Sequence, residues 1–483
     1  MGFVTLVKKV ADTKQLVKGR TPVLLNEIEL FCESVGIAES TFGRLAVNDG
    51  KFVNRIRSGS KVGEKMVTRI QEFMTEVRSG NLVIEGRDRR RVGVAKKEML
   101  SKISSQETTA GLSQALEYNE QHQSHLLFYN TCNEKWQIAE RAFKVMHDLS
   151  ASPPALRVFE ANLGEGTTLA RLLRALHHKH PTVPFLIVAR ERGLSDLRNS
   201  LGKMADRFLE HPLTVLVITN MDFDEAVTLT AGSVQNALAM NWKTVKLDGN
   251  TAYEFQTQIS GLQQAFSEEW VVKSRKDGQP QHETPNVLVL YRKDHEFLLH
   301  NIVPQPGAFD AQYDFIIAAH LYRHDRPISF KIDKVLLPLV KCLAPGGRVL
   351  VVQSYGNDPA HEIAHQFWSE EELPTHGRQK LITELKRAFG NDRLQYKFTG
   401  ATDKTALFRY DMHTLPIDIN EQTGISTLLA AWSNAVFVSQ VPRAKVDALV
   451  NSSQDYLKAS TNIIAKHGGL WFINESFVIK RDG

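Results

Sequence analysis

The chain has only three cysteines in 483 residues, Cys32, Cys132 and Cys342. They are widely spaced and odd in number, which excludes a disulfide framework and a CxxC metal site, and each thiol reads as a small buried hydrophobe. No apolar run approaches the roughly 18–20 residues needed to cross a bilayer. The opening "FVTLV" is too short for a signal-peptide core, and "MGFVTL" puts Leu6 where a myristoylation signal carries Ser or Thr. These absences point to the cytoplasm and to no membrane partner. His361 and His365 stand four apart on an expected helix, but a third ligand and the Glu of HExxH are missing, so no metal is expected.

What is present is the composition of a folded protein, 42% hydrophobic and 23% charged. At about 100–200 residues per domain, the length suggests two or three units. Charge is unevenly spread. Residues 1–102 carry 20 Lys+Arg against 12 Asp+Glu, a net +8, so a chain of +5 overall carries −3 over residues 103–483. A basic front on a mildly acidic body points to a nucleic-acid contact near the N-terminus or simply to a solvated basic face.

From Leu24 to Val77 there is no proline, and apolar residues recur at helical spacing. "LLNEIELFCESVG" places Leu24, Leu25, Ile28, Leu30, Phe31 and Val35 largely on one side of a helix that Gly36 can end. "AESTFGRLAV" predicts a second helix capped near Ser40 or Thr41, followed by the turn "NDG". "KFVNRIRSG" predicts a third helix closed by Gly59, and "KVGEKMVTRIQEFMTEV" a fourth. Residues 24–78 resemble the phage-repressor (XRE-like) helix-turn-helix family, chiefly through "FGRLAV" and "FVNRIRSG", where small Ala46 can sit between two crossing helices. The resemblance implies DNA as a partner, with Lys51, Asn54, Arg55 and Arg57 on or beside the helix that enters the major groove. Arg and Asn suit that role because they bond bidentately to guanine and adenine edges. Such modules commonly act as dimers, so a homodimer is expected. A basic polar linker containing "RDRRR" follows. The division is a helical module at 20–80, a linker at 81–120 and a body at 121–483.

In the body, "RVFEANLGEGTTLARLL" starts as an apolar strand, breaks at two glycines and resumes with helical periodicity. A tight turn after a parallel strand needs glycine where φ is positive or where a ligand approaches the backbone. The following helix aims its positive end at the same place, which suits a nucleoside ligand. Downstream, "YDFIIAAHLYRHDRPISFKIDKVLLPLVKCLAPGGRVLVVQSYG" gives a strand, a loop, an amphipathic helix, a Pro-Gly-Gly turn and another strand. The two signatures in this order resemble class I S-adenosylmethionine (SAM) dependent methyltransferases. That resemblance implies an α/β fold, a Rossmann-like sheet with helices on both faces, preceded here by the small all-α module.

It also implies SAM as the cofactor. The acidic strand end, Glu160, would hold the ligand's amino group. The backbone at Asn162, Leu163, Gly164 and Gly166 would line its carboxylate, with Asn162 standing where the family carries its first glycine. Glu191, after "PFLIVARE", fits the acid that binds the ribose hydroxyls, although Arg190 beside it departs from the pattern. Leu194 or Leu197 could cover the adenine. Asp222 is the candidate for the adenine amino group, with Asp248, after a second strand-like stretch, left open beside it. Residues 226–285 exceed a typical connection and read as an insertion.

Methyl transfer needs an acceptor in line with the sulfonium methyl and, for some acceptors, a base. "AAHLYRHD" supplies His320, Tyr322 and His324 as catalytic candidates, with His320 also beside the cofactor. The Asp/Asn/Ser-Pro-Pro-aromatic box of DNA amino-methyltransferases is absent, as is a Pro-Cys nucleophile, which leaves a small molecule or a protein as the acceptor. Two functions follow from these residues. One is a SAM-dependent methyltransferase. The other is a helix-turn-helix transcription regulator whose methyltransferase-like domain senses SAM or another ligand without catalysis. An aminopropyl transferase would need a paired-aspartate polyamine site, and none is evident.

Overall fold

The protein is described by a computed structural model. It describes residues 24–78 and 124–483, apart from 26, 30, 33–36, 59, 61, 150–152, 275–279, 283, 374, 401, 417–423 and 454. Chain contacts divide it into two units, residues 1–113 and 114–483. The basic stretch at 81–120, and the helix-ending roles of Gly36 and Gly59, lie outside the described residues.

In the first unit, helical residues between 24 and 32 precede the helices Glu39–Val47, Phe52–Arg57 and Glu64–Arg78. Their apolar faces converge on Ile28, Phe31, Phe42, Phe52, Ile56 and Ile70, all buried. Phe31, Phe42 and Phe73 meet edge to face at centroid distances of 5.6 to 6.3 Å. The second helix is capped at Ala38 without a side-chain bond, where Ser40 or Thr41 was expected. It ends on Asn48 in the left-handed conformation, a state Asn tolerates better than most residues. The turn then folds back so closely that a Cβ on Gly43 would lie 2.3 Å from the Asp49 carbonyl oxygen. Glycine is therefore required there.

The second unit is built on a ten-stranded mixed sheet. Its strands are β1 (Leu156–Glu160), β2 (Phe185–Arg190), β3 (Thr214–Thr219), β4 (Asn241–Leu247), β7 (Asn286–Arg292), β8 (Tyr313–Ala319), β9 (Leu343–Ser354), β10 (Tyr396–Thr399), β11 (Leu407–Asp411) and β12 (Trp471–Arg481). A separate hairpin pairs β5 (Val272–Ser274) with β6 (Pro280–His282). The order across the sheet is β10-β12-β9-β8-β1-β2-β3-β7-β4, with β11 also pairing β12. Strands β3, β2, β1, β8 and β9 are parallel, whereas β12 and β7 run antiparallel to their inner neighbours.

The inner strands are buried on both faces, which explains why they read as continuous apolar runs. Phe159, Val188 and Ile316 pack on one face with helix Leu337–Lys341 and helix Arg378–Phe389. Val158, Ile187 and Ile317 pack on the other with helix Glu134–Met146 and helix Thr167–Lys179. This is the two-faced Rossmann-like α/β sheet that the sequence implied.

One detail differs from the sequence reading, and the sheet order bears on another that it left open. Pro-Gly-Gly does not precede the last parallel strand but lies inside β9, where Gly346 takes φ +78° and the β8–β9 register shifts between Tyr313 and Phe315. Of the two strand-like stretches before the insertion's end, β3 lies beside β2 while β4 lies at the far edge, so Asp222 rather than Asp248 follows the strand next to β2. Residues 226–285 supply that edge strand, helix Ala252–Gly261, helix Gln263–Glu269 and the β5–β6 hairpin.

Candidate functional site

The sheet reverses direction of winding at β1, which has β2 on one side and β8 on the other. Open α/β sheets bind ligands at the carboxyl ends of strands at such a switch point. The residues singled out from the sequence collect there because β1, β2 and β8 all end there.

Glu160 closes β1 and is 1% exposed. Its Oε2 has no hydrogen-bond partner among the described residues. Burial raises its carboxyl to about 8, against a partial lowering by the Lys135 ammonium. After it the chain turns on Gly164 at φ +55° and Gly166 at φ +84°. A Cβ on Gly166 would sit 2.7 Å from Ser200 Cα, so the turn requires glycine for space as well as for φ. Helix Thr167–Lys179 starts directly behind it. Asn162 is half-buried, with Nδ2 3.5 Å from the Ala319 carbonyl oxygen, and Leu163 is buried with its N–H on the Arg190 carbonyl.

Glu191 follows β2, buried, and both its oxygens are already engaged. Oε2 accepts from Gly164 N–H at 2.7 Å and Oε1 from Gly193 N–H at 2.6 Å. Burial, with Asp196 nearby, raises this carboxyl too. Trp270 from the insertion donates its indole N–H to the Glu191 carbonyl at 3.0 Å. Arg190 turns inward, donating from Nε to the Met221 carbonyl at 2.7 Å and lying 4.0 Å over the Phe223 ring. Asp222 precedes the short helix Phe223–Ala226 without a side-chain bond to it, more than half exposed, with Arg192 3.6 Å away. Leu197 is fully buried in the core and Leu194 packs against it.

His320 follows β8 in the left-handed conformation, φ +52°, which is uncommon among residues other than glycine. Its Nε2 lies 2.9 Å from Glu134 Oε1. Asn474 Nδ2 donates to the same carboxylate oxygen at 2.9 Å and stands 3.3 Å from Nε2. Burial alone would raise Glu134, but the His320 charge and hydrogen bond, Lys135 and Asn474 hold it down at about 2. Tyr322 donates to Gln353 Oε1 at 3.2 Å, and burial raises its hydroxyl above the usual range. His324 is lowered to about 3 by burial and by His361, Lys331, His320 and Arg323, so it is neutral at physiological pH.

A cavity of about 580 Å3 opens on these strand ends. Asn162, His320, Tyr322 and Ser354 line it, whereas Glu160, Leu163, Gly164, Gly166, Glu191, Asp222 and His324 do not. Its other side comes from residues that carried no motif: Tyr129 on the helical stretch 124–131, Glu134, Lys135, and Trp432 on helix Ile425–Val438. Glu134 reads locally as an acid in the first turn of a helix, and only the fold sets it beside a histidine 186 positions later. Tyr129 is the convergence point of the acids. Burial raises its hydroxyl, and Asp196, Glu191, Glu134 and Glu165 push it further.

Lys51, Asn54, Arg55 and Arg57 of the first unit lie on one exposed stretch around helix Phe52–Arg57. Both arginines are paired to carboxylates. Arg55 bonds Asp49, while Arg57 bonds Glu29 and Glu39, each at 2.6 Å, and reaches Asn54 Oδ1 at 3.1 Å. Among the described residues no group of three or more His, Cys, Asp or Glu could hold a metal, and no helix is long and apolar enough to cross a membrane.

No protein-family model matches the chain, and no curated protein sequence does. Among solved structures, the chain is similar to the [4+2]-cyclase SpnF at 10% identity, over 72% of this chain and 81% of that one, with a TM-score of 0.27. The plantazolicin methyltransferase BpumL with SAH matches at 7% identity over 78% and 92%, TM-score 0.25. A Haemonchus contortus phosphoethanolamine N-methyltransferase 2 matches at 9% identity over 71% and 98%, TM-score 0.17. Superpositions this loose leave any assignment to the chain's own residues.

Proposed function

We propose that the body binds SAM at the carboxyl ends of β1 and β2 and passes its methyl group to an acceptor, a small molecule or a protein, held in the cavity beside β8. The observation that carries this is Glu160. It is a fully buried carboxyl with an oxygen that no described residue satisfies, at the strand end before a left-handed glycine turn. Leaving such a group unpaired costs stability, so a cationic partner is the reason to keep it. The methionine end of SAM supplies an ammonium for Glu160, and its carboxylate lies along the turn at Asn162, Leu163, Gly164 and Gly166, where the N–H groups of Leu163, Gly164 and Gly166 are already given to Arg190, Glu191 and Leu163. When bound, SAM supplies an electrophilic methyl on a sulfonium. The chain orients it and offers His320 as the group that takes the acceptor's proton. Tyr322 orients the acceptor from the same loop, while neutral His324 supports that loop from outside the cavity.

Calorimetric titration of the full chain with SAM and with its demethylated product tests this. Binding in the micromolar range with release of about one proton at pH 7 is expected, because the ammonium drives Glu160 to ionise. Silence with both ligands would overturn the assignment.

One observation favours the second reading, a regulator that senses SAM or another ligand without catalysis. Glu191 already holds the amides of Gly164 and Gly193, and Arg190 is turned inward over Phe223, so the ribose end of the site is closed by the chain's own bonds. Transfer of a labelled methyl group separates the two readings. In both, the first unit contacts DNA as a homodimer through Lys51, Asn54, Arg55 and Arg57, with phosphates displacing Asp49, Glu29 and Glu39 from the arginines. Loss of DNA binding in a Lys51→Ala/Arg55→Ala variant is expected, and its retention would remove that helix from the interface.

A further inference from the structure

The cavity defines an acceptor class more narrowly than the strand ends do. Aromatic residues make up 8% of the chain, yet Phe128, Tyr129, Tyr410, Trp432, Phe437 and Tyr456 all face this one space. They brace one another: Phe128 and Phe437 are 5.0 Å apart between centroids and Trp432 and Tyr456 4.9 Å. Tyr410 stacks on Phe472 at 4.8 Å. Helices Ile425–Val438 and Arg443–Ser452 contribute to the wall opposite the strand ends. A walled space of about 580 Å3 suits a molecule of drug size rather than the surface of a folded protein. Fixed π faces and edges select a planar ring, by offset stacking and edge-to-face contact.

The polar side of the cavity is as specific. Asn474 Nδ2 is a donor and already bonds Glu134. His320 Nε2, 2.9 Å from the same carboxylate, must therefore carry its proton and donate it, since two acceptors would repel at that distance. The tautomer so fixed leaves Nδ1 as the basic nitrogen, with no protein partner among the described residues. A nearby ionised carboxylate stabilises the imidazolium that forms when Nδ1 takes up a proton.

We propose that the acceptor is a planar aromatic small molecule carrying a phenol-type hydroxyl, seated among Phe128, Trp432 and Phe437 with that hydroxyl turned to His320. The binding half stands on the cavity alone, while the chemical half rests on the SAM reading above. In that half the hydroxyl proton passes to His320 Nδ1 and the oxygen's electron pair forms the new O–CH3 bond. The S–CH3 pair returns to sulfur, giving a methyl ether and the neutral thioether. Glu134 and Asn474 are positioning residues, acting through the imidazole.

The test titrates the full chain, without SAM, with a panel of naphthols and hydroxyflavones and with saturated-ring alcohols of the same size, following tryptophan fluorescence and equilibrium dialysis. The aromatic hydroxyl compounds should bind at least tenfold more tightly than the saturated ones. Leu429→Trp, at a cavity-lining position that is 41% exposed and tolerant of change, should weaken them tenfold or more by filling the space. His320→Gln should lose labelled-methyl transfer while the preference for aromatic over saturated rings remains, because the rings that select it are untouched. Glu134→Gln should move the acid limb of the pH profile of transfer to lower pH, because the imidazolium loses the carboxylate beside it, and a purely structural role would not do this. If SAM binds but the panel shows no aromatic preference, the acceptor class is wrong and the cofactor reading stands. If the aromatic compounds bind but SAM does not, the methylation step is wrong and the ligand class stands.

Discussion

Replacing Glu160 by Gln should make the protein more stable as pH rises while removing its ligand. In the folded chain the carboxyl is raised to about 8 from an ordinary 4.5. Between those values the native state keeps a proton that the unfolded state has lost. The stability conferred by the protonated group is thus fully present below pH 4.5, drains as pH climbs, and is gone above about 8. One pH unit corresponds to about 1.4 kcal/mol, which makes the whole window on the order of 5 kcal/mol. Gln is nearly isosteric and does not titrate. The stability of the Gln variant relative to the parent should therefore climb by about 1.4 kcal/mol per unit between pH 5 and 8 and then level off. Urea unfolding of both proteins at unit steps from pH 5 to 9 reads this directly, because every other titrating group is shared. The variant should also bind SAM at least tenfold more weakly, by calorimetry. Parallel stability curves across that range would refute the premise that Glu160 is buried and unpaired.

Gly166→Ala should cost about 2 kcal/mol or more in unfolding free energy, since it combines φ +84° with a Cβ 2.7 Å from Ser200 Cα; a loss under 0.5 kcal/mol would mean that helix Leu194–Gly202 can retreat. Arg378→Ala should cost about 3–5 kcal/mol, because it strands buried Glu475, which takes Arg378 Nη1 at 2.8 Å and also Gln353 Nε2 at 2.6 Å behind Tyr322. The exposed Lys397–Asp482 pair is the control, and Lys397→Ala should cost under about 1 kcal/mol in the same urea assay.

The sequence by itself determined the elements and their kind. Helix Thr167–Lys179 starts and stops where its glycine turn and apolar spacing place it, and β1, β2, β3 and β8 match their apolar runs, because a strand buried on both faces must be apolar throughout. It also placed Glu160 and the glycine turn, whose signal is local. Tertiary structure decided what depends on distant partners. Only the sheet order puts β3 beside β2 and β4 at the rim, since both strands carry similar local patterns. Only packing shows that Glu191 spends its oxygens on Gly164 and Gly193, that Arg190 folds inward over Phe223, and that the arginines of helix Phe52–Arg57 are met by acids from other segments. The Glu134–His320–Asn474 cluster joins a helix start, a strand end and the final strand. A hydrogen bond needs atoms within about 3 Å, and residues hundreds of positions apart reach that distance only when the chain has folded.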